Sequence, residues 1–116
     1  MKQAFPAKFR LRYKADFRAL RHGKKFVCTS LRFNFIPNRQ EHARLGFAVS
    51  RRYGKAVYRN RFKRKLRNVF RCHAVRRAGV DILVIPQLNH QAGLNINEDM
   101  LTGLNRILHS IMEGKV

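Results

Sequence analysis

Apolar positions along the chain change period several times, and each change marks a new element. Leu31, Phe33 and Phe35 alternate with Arg32 and Asn34, the two-residue period of a strand with one apolar face. Leu45, Phe47 and Val49 alternate with Gly46 and Ala48 in the same way, and Pro37-Asn38-Arg39-Gln40 supplies a turn between the two runs. The pattern leaves open whether Phe26-Val27-Cys28 forms a separate strand ahead of them. Ile82-Leu83-Val84-Ile85 before Pro86 is continuously apolar, as in a strand buried on both faces. Helical spacing occurs three times. Phe17 and Leu20 predict a short helix over Lys14 to Arg21, closed by His22-Gly23. A long helix is predicted from about Ala56 to Arg77, stopped by Gly79. After a mostly polar loop from Pro86 to Gly93, Asn97 is the expected cap of a last helix. Glu98 and Asp99 fall in its first turn, where acids suit the dipole, and Leu101, Leu104, Leu108 and Ile111 form its predicted apolar stripe.

The order is helix, two or three strands, helix, strand, helix. It predicts a small α+β, two-layer sandwich with helices against a sheet, and 116 residues suit one domain, 1–116. No apolar run approaches the about 20 residues of a membrane span. The stretch Met1 to Lys14 mixes basic and apolar residues without the apolar core of a secretory signal. Cys28 and Cys72 form no CxxC pair and read as reduced thiols, so the expected location is cytoplasmic.

Charge changes the picture most. Lys and Arg number 26 against 6 Asp and Glu, a formal net charge of +20, while 45% of residues are apolar. A polyanionic partner is therefore expected, nucleic acid ahead of membrane. The charge is uneven: residues 1–40 carry +10, 41–80 carry +12 and 81–116 carry −2. From His42 to Val80 there is no carboxylate at all.

The long helix lies in that stretch. At about 100° per residue, Lys63, Arg64, Arg67 and Arg71 gather on the same side as Asn60, flanked by Arg59 and Arg61. Tyr58, Phe62, Leu66, Val69 and His73 take the opposite side, with Val57 and Lys65 imperfectly placed. The like-charge pairs Lys63–Arg67 and Arg67–Arg71 at i, i+4 destabilise an isolated helix. A solvated face gains nothing from them, whereas a phosphate-binding face does. Arginine outnumbers lysine here, which favours forked hydrogen bonds to phosphate oxygens.

At these residues the chain resembles the protein subunit of bacterial ribonuclease P. The resemblance is carried by Arg59-Asn60-Arg61-Phe62-Lys63-Arg64 followed by Arg67, by Arg44-Leu45-Gly46-Phe47, and by Ser50-Arg51-Arg52 with Gly54-Lys55-Ala56-Val57. Upstream, Phe5-Pro6, Arg10-Leu11 and Asp16-Phe17 are similar to the family's N-terminal segment. It spans about residues 5 to 86, and the last helix by pattern alone. The resemblance implies an αβββαβα sandwich with a left-handed strand–helix–strand crossover, against the usual right-handed preference. It further implies a ribonucleoprotein in which a catalytic RNA subunit hydrolyses precursor tRNA, releasing the 5′ leader. Mg²⁺ would be bound mainly by the RNA and substrate. Carried over, Arg59, Asn60, Arg61, Lys63, Arg64 and Arg67 would contact the RNA subunit, with Arg51, Arg52 and Lys55 close by. Phe17 would line the cleft for the leader. Arg21 stands where relatives often have a second aromatic and Asn34 where a relative has tyrosine, which shifts both away from stacking.

Other readings fare worse. A metal-dependent nuclease needs clustered carboxylates, and Glu98 and Asp99 point about 100° apart on their helix. His22, His42, His73, His90 and His109 show no paired ligand spacing. A membrane-surface helix would need Phe62, Leu66 and Val69 free for lipid, but the core needs them. A small basic ribosomal protein explains the charge equally well and is the main alternative. No catalytic side chain and no small-molecule substrate is expected.

Overall fold

The computed structural model describes residues 6–92 and 95–114. Phe5 of the N-terminal motif, Gly93 at the end of the predicted loop, and Lys115 lie outside the described residues. The elements are α1 (Lys14–Ala19), β1 (Lys24–Cys28), β2 (Leu31–Pro37), β3 (Arg44–Phe47), α2 (Ala56–Arg71), β4 (Val80–Pro86) and α3 (Ile96–Met112). The four strands form one sheet in the order β1-β2-β4-β3. β1–β2 and β2–β4 are antiparallel and β3–β4 is parallel, joined through α2.

Alternation divides the sheet between two apolar layers. Leu31, Phe33 and Phe35 of β2, Leu45 of β3, and Val80, Ile82 and Val84 of β4 face α2 and α3. Phe62, Leu66 and Phe70 of α2 and Met100, Leu104 and Ile107 of α3 complete this main core. On the other face, Leu83 joins Leu11 and Leu20 in a smaller cluster, with Phe17, Ile36 and Ile85 packed against it. The continuous apolar run in β4 is thus buried on both faces, and Phe33 and Phe35 are core residues, as expected.

Phe26-Val27-Cys28 is a strand of its own, paired from Lys24↔Phe35 to Cys28↔Leu31. Thr29 takes a left-handed φ of 48° in the tight turn that joins it to β2. The long helix stops earlier than its sequence pattern predicts, at Arg71, and Cys72 caps it. His73 turns to an extended conformation and starts a separate 3-10 turn, Ala74–Arg77. Its Nδ1 accepts the Val75 amide at 2.9 Å, while Nε2 pairs with Asn105 Oδ1 at 2.6 Å, so this imidazole rather than Gly79 ends α2. Gly79 instead allows a close approach: a Cβ there would stand 2.4 Å from the Gln40 carbonyl oxygen.

Two expectations for the last helix are corrected. The cap is Asn95, whose Oδ1 accepts the Glu98 amide at 3.3 Å; Asn97 lies within the first turn. The buried line runs through Met100, Gly103, Leu104 and Ile107, while Leu101 is 47% exposed. The cause is Phe33, whose ring occupies the space over Gly103, where a Cβ would come within 2.2 Å. α3 is therefore rotated to place its smallest residue, not its first leucine, against the sheet.

Candidate nucleic-acid interface

α2 is amphipathic because the core takes Phe62, Leu66 and Phe70, and the opposite side is left to cations. Asn60, Arg61 and Arg64 are exposed, and Lys63, Arg67 and Arg71 are half-buried along its flank. Arg61 lies over the Tyr58 ring at 5.8 Å and Arg67 over Phe47 at 5.7 Å, contacts that hold each guanidinium against an apolar base. Arg59 is half-buried, and its Nε donates to the Gly54 carbonyl at 3.2 Å, so this arginine also pins the approach to the helix. That approach carries Arg51 and Arg52 on a 3-10 turn opened by Ser50, whose Oγ accepts the Arg52 amide at 3.3 Å. Lys55 is the N-cap residue of α2; no side chain caps the helix and no acid sits in its first turn. Arg51, Arg52 and Lys55 are all exposed, at an end where backbone N–H groups and the dipole favour an anion.

The other three expected residues meet across the second face of the sheet. Phe17 and Arg21 from the α1 segment and Asn34 from β2 line one open cleft of about 520 Å³, with Lys14, Arg18, Ala48 and Leu83. Lys14 and Arg18 escaped the sequence reading although the signal was present: 14, 17, 18 and 21 follow the i, i+3, i+4, i+7 spacing of one helix face. Asn34 is nearly buried, and its Oδ1 has no hydrogen-bond partner among the described residues.

Phe17 also borders a second cleft, of about 370 Å³, lined by Arg10, Arg12, Phe47, Gly46, Lys63 and Arg67 among others. It joins the α1 side to the flank of α2. Arg10 and Arg12 alternate about Leu11, whose amide donates to the Leu45 carbonyl at 3.0 Å and lays the segment along β3. Gly46 makes this possible, since a Cβ there would be 3.0 Å from both Leu11 Cδ1 and Phe17 Cε1. Sequence reasoning missed Arg10 and Arg12 because their pairing with β3 is non-local. Burial, then Arg10 and Arg71, lower the Arg67 guanidinium below its usual pKa. Like charges are thus gathered along this flank of α2.

Among the described residues no three His, Cys, Asp or Glu side chains come together to hold a metal ion. Asp16 and Asp81 both pair with Arg44. The histidines are dispersed: His42 Nε2 meets the Lys8 carbonyl at 2.9 Å, His90 stacks on Tyr58 at 3.8 Å, and His109 pairs with Glu113 at 2.7 Å. Cys28 and Cys72 are free thiols. No helix among the described residues is long and apolar enough to cross a membrane.

Fold and surface together define a class: a small α+β sandwich that presents one cationic helix face and a basic cleft on the far side of its sheet. Comparison with known proteins narrows it. The family model for ribonuclease P matches residues 5–111. The ribonuclease P protein component of Dictyoglomus thermophilum is 38% identical over 84 residues, covering 71% of this chain and 70% of that one. That of Thermotoga maritima is 37% identical over 89 residues, covering 75% and 76%. Among solved structures, the Staphylococcus aureus RNase P protein superposes with a TM-score of 0.69 at 28% identity, over 87% of this chain and 93% of that one. The Thermotoga maritima RNase P protein gives 0.64 at 31%, over 88% and 94%. The chain belongs to the ribonuclease P protein family, as its Arg59-Asn60-Arg61 run implied.

Proposed function

We propose that this protein binds the catalytic RNA subunit of ribonuclease P through the cationic side of α2 and holds the 5′ leader of precursor tRNA in the cleft between α1 and the sheet. The observation that carries the reading is the α2 surface itself: a helix without a single carboxylate, its apolar side in the core and its arginines aligned opposite. Phosphates of folded RNA suit Arg61, Lys63, Arg64 and Arg67, and the uncapped start of α2 beside Arg51, Arg52 and Lys55 suits one more. A single strand suits the other side, where Lys14, Arg18 and Arg21 meet its phosphates and Phe17 offers one aromatic surface to a base. Arg10, Arg12, Lys63 and Arg67 line the path between the two surfaces.

In this reading the protein positions RNA, and the RNA hydrolyses the bond that frees the mature tRNA 5′ end. Mg²⁺ is assigned to RNA phosphates, because the described side chains do not build a donor set for a hard cation. The same reading takes the β3–α2–β4 crossover as left-handed and the site of action as the cytoplasm.

The test is precursor tRNA cleavage at low Mg²⁺ with the cognate RNA alone, with protein added, and with protein alone. Stimulation only when both are present is expected. Cleavage by protein alone would overturn the reading in favour of a protein nuclease, and no stimulation of the RNA would overturn it in favour of a structural RNA-binding protein.

A further inference from the structure

α1 carries most of the cleft's cations, yet little of the core holds it. It is six residues long and contributes no buried side chain, and a helix of that length has no stability of its own. Leu11 before it and Leu20 after it are the buried anchors, with Phe17 half-buried between them. The polar tether is Asp16. Arg44 starts β3 and Asp81 stands opposite it on β4 in the parallel register. The Arg44 guanidinium grips Asp81 with Nε at 2.8 Å and Nη2 at 2.7 Å, and Asn38 Nδ2 donates to the same carboxylate at 2.8 Å. Its other edge reaches Asp16, with both contacts at 3.3 Å. One arm of the fork is therefore tight and fixed to the sheet, and the other is longer and crosses to α1.

We propose that the Asp16–Arg44 pair is a positioning device that sets the separation of α1 from the sheet, and so presents Lys14, Phe17, Arg18 and Arg21 to a single RNA strand. This rests on the leader-cleft reading above. In this arrangement Asp16 acts through the helix that it tethers to Arg44.

The sign of one substitution discriminates. Removing a negative charge beside three cations should, on electrostatics alone, tighten RNA binding. Loss of positioning should weaken it. The experiment uses holoenzyme reconstituted with the cognate catalytic RNA, and precursor tRNAs bearing a leader of several nucleotides or of one. With D16N, KM for the long-leader substrate is expected to rise about fivefold, the scale of one partly exposed charge-assisted contact. The rate at saturation, KM for the one-nucleotide leader and affinity for the catalytic RNA should stay unchanged. D16E, which keeps the charge, should recover at least half of the loss. Hydrogen exchange on the free protein should quicken over residues 14–20 in D16N and stay the same over α2. Tighter or unchanged binding of the long leader, equal loss for both substrates, or unaltered exchange over 14–20 would each overturn the proposal. A wild-type holoenzyme indifferent to leader length would overturn the cleft reading and this proposal with it, and is visible before any variant is compared.

Discussion

Arg67 offers the sharpest test of the α2 surface, because the structure gives its substitution opposite effects on binding and on folding. Its guanidinium is half-buried over Phe47, and burial first, then Arg10 and Arg71, lower its pKa. If it neutralises one RNA phosphate, Arg67→Ala removes one released counterion, and the slope of log K against log salt flattens by about 0.7 to 0.9. Over a fourfold rise in salt, from about 50 to about 200 mM, the variant's affinity defect then shrinks about threefold. A defect of about tenfold at the lower salt would fall to about threefold at the higher. Titration of the labelled catalytic RNA with wild-type and variant protein at four salt concentrations measures this. Arg67→Met supplies the folding arm: it keeps the aliphatic stem against Phe47 but relieves the repulsion. Its melting temperature in the absence of RNA should equal or exceed that of the wild type while RNA binding falls. Parallel salt lines for Arg67→Ala would refute the phosphate contact. A clear loss of melting temperature in Arg67→Met would refute the claim that this cation is held against its own repulsion.

Gly103→Ala should destabilise the protein by about 1–3 kcal/mol in urea unfolding despite alanine's better helix propensity, because the new Cβ overpacks against the Phe33 ring. Thr29→Gly should stabilise it by about 0.5–1 kcal/mol in the same assay, by relieving a β-branched residue at φ 48°. Burial raises the Cys28 thiol above its usual pKa, whereas Cys72 is exposed. Alkylation of the folded protein at pH 8 should therefore modify Cys72 first, as mass mapping of a time course would read. A raised folded-state pKa also means that Cys28 supports the native state at neutral pH, and that this support fades as pH rises through its folded value.

How much was legible in the sequence depended on whether the deciding contact was local. The α2 surface was, because 3.6-residue periodicity alone separates Arg64 and Arg67 from Phe62 and Leu66. Strands β2, β3 and β4 were, because Leu31, Phe33 and Phe35 alternate, Leu45 and Phe47 alternate, and Ile82 to Ile85 is continuously apolar, whereas β1 at Phe26-Val27-Cys28 was left open. The end of α2 was not: the pattern runs on to Arg77, whereas His73 turns the chain aside, held by the Val75 amide and by Asn105 of α3, 32 residues away. The rotation of α3 was not, since Gly103 looks like a weak helix position until Phe33 is placed above it. The long cleft was half legible. Phe17, Arg21 and Asn34 came through resemblance and converge on one cleft, whereas Lys14 and Arg18 needed the basic side of the predicted first helix to be traced from 14 through 18 to 21. Arg10 and Arg12 required the pairing of Leu11 with Leu45, which no spacing encodes.

The placement of the six carboxylates explains why the cationic surface survives folding. Asp16 and Asp81 converge on Arg44, and Asp99 accepts both the amide and the hydroxyl of Ser30 at the β1–β2 turn. Glu98 lies in the first turn of α3 and Glu113 meets His109 near its end. Glu41, in the β2–β3 connection, is exposed. No carboxylate is carried by α2 or by the approach from Ser50 to Lys55. Asp16, Asp81 and Asp99 thus join elements, and the surface proposed for RNA carries no acid of its own. A guanidinium already paired to a carboxylate would have to exchange that partner for a phosphate, and the net gain would be small. One seated on an aromatic ring among other cations, as Arg67 is on Phe47, gives up no carboxylate when a phosphate arrives. If α2 binds RNA as proposed, phosphates take up the repulsion among these cations, and that relief adds to the free energy of binding.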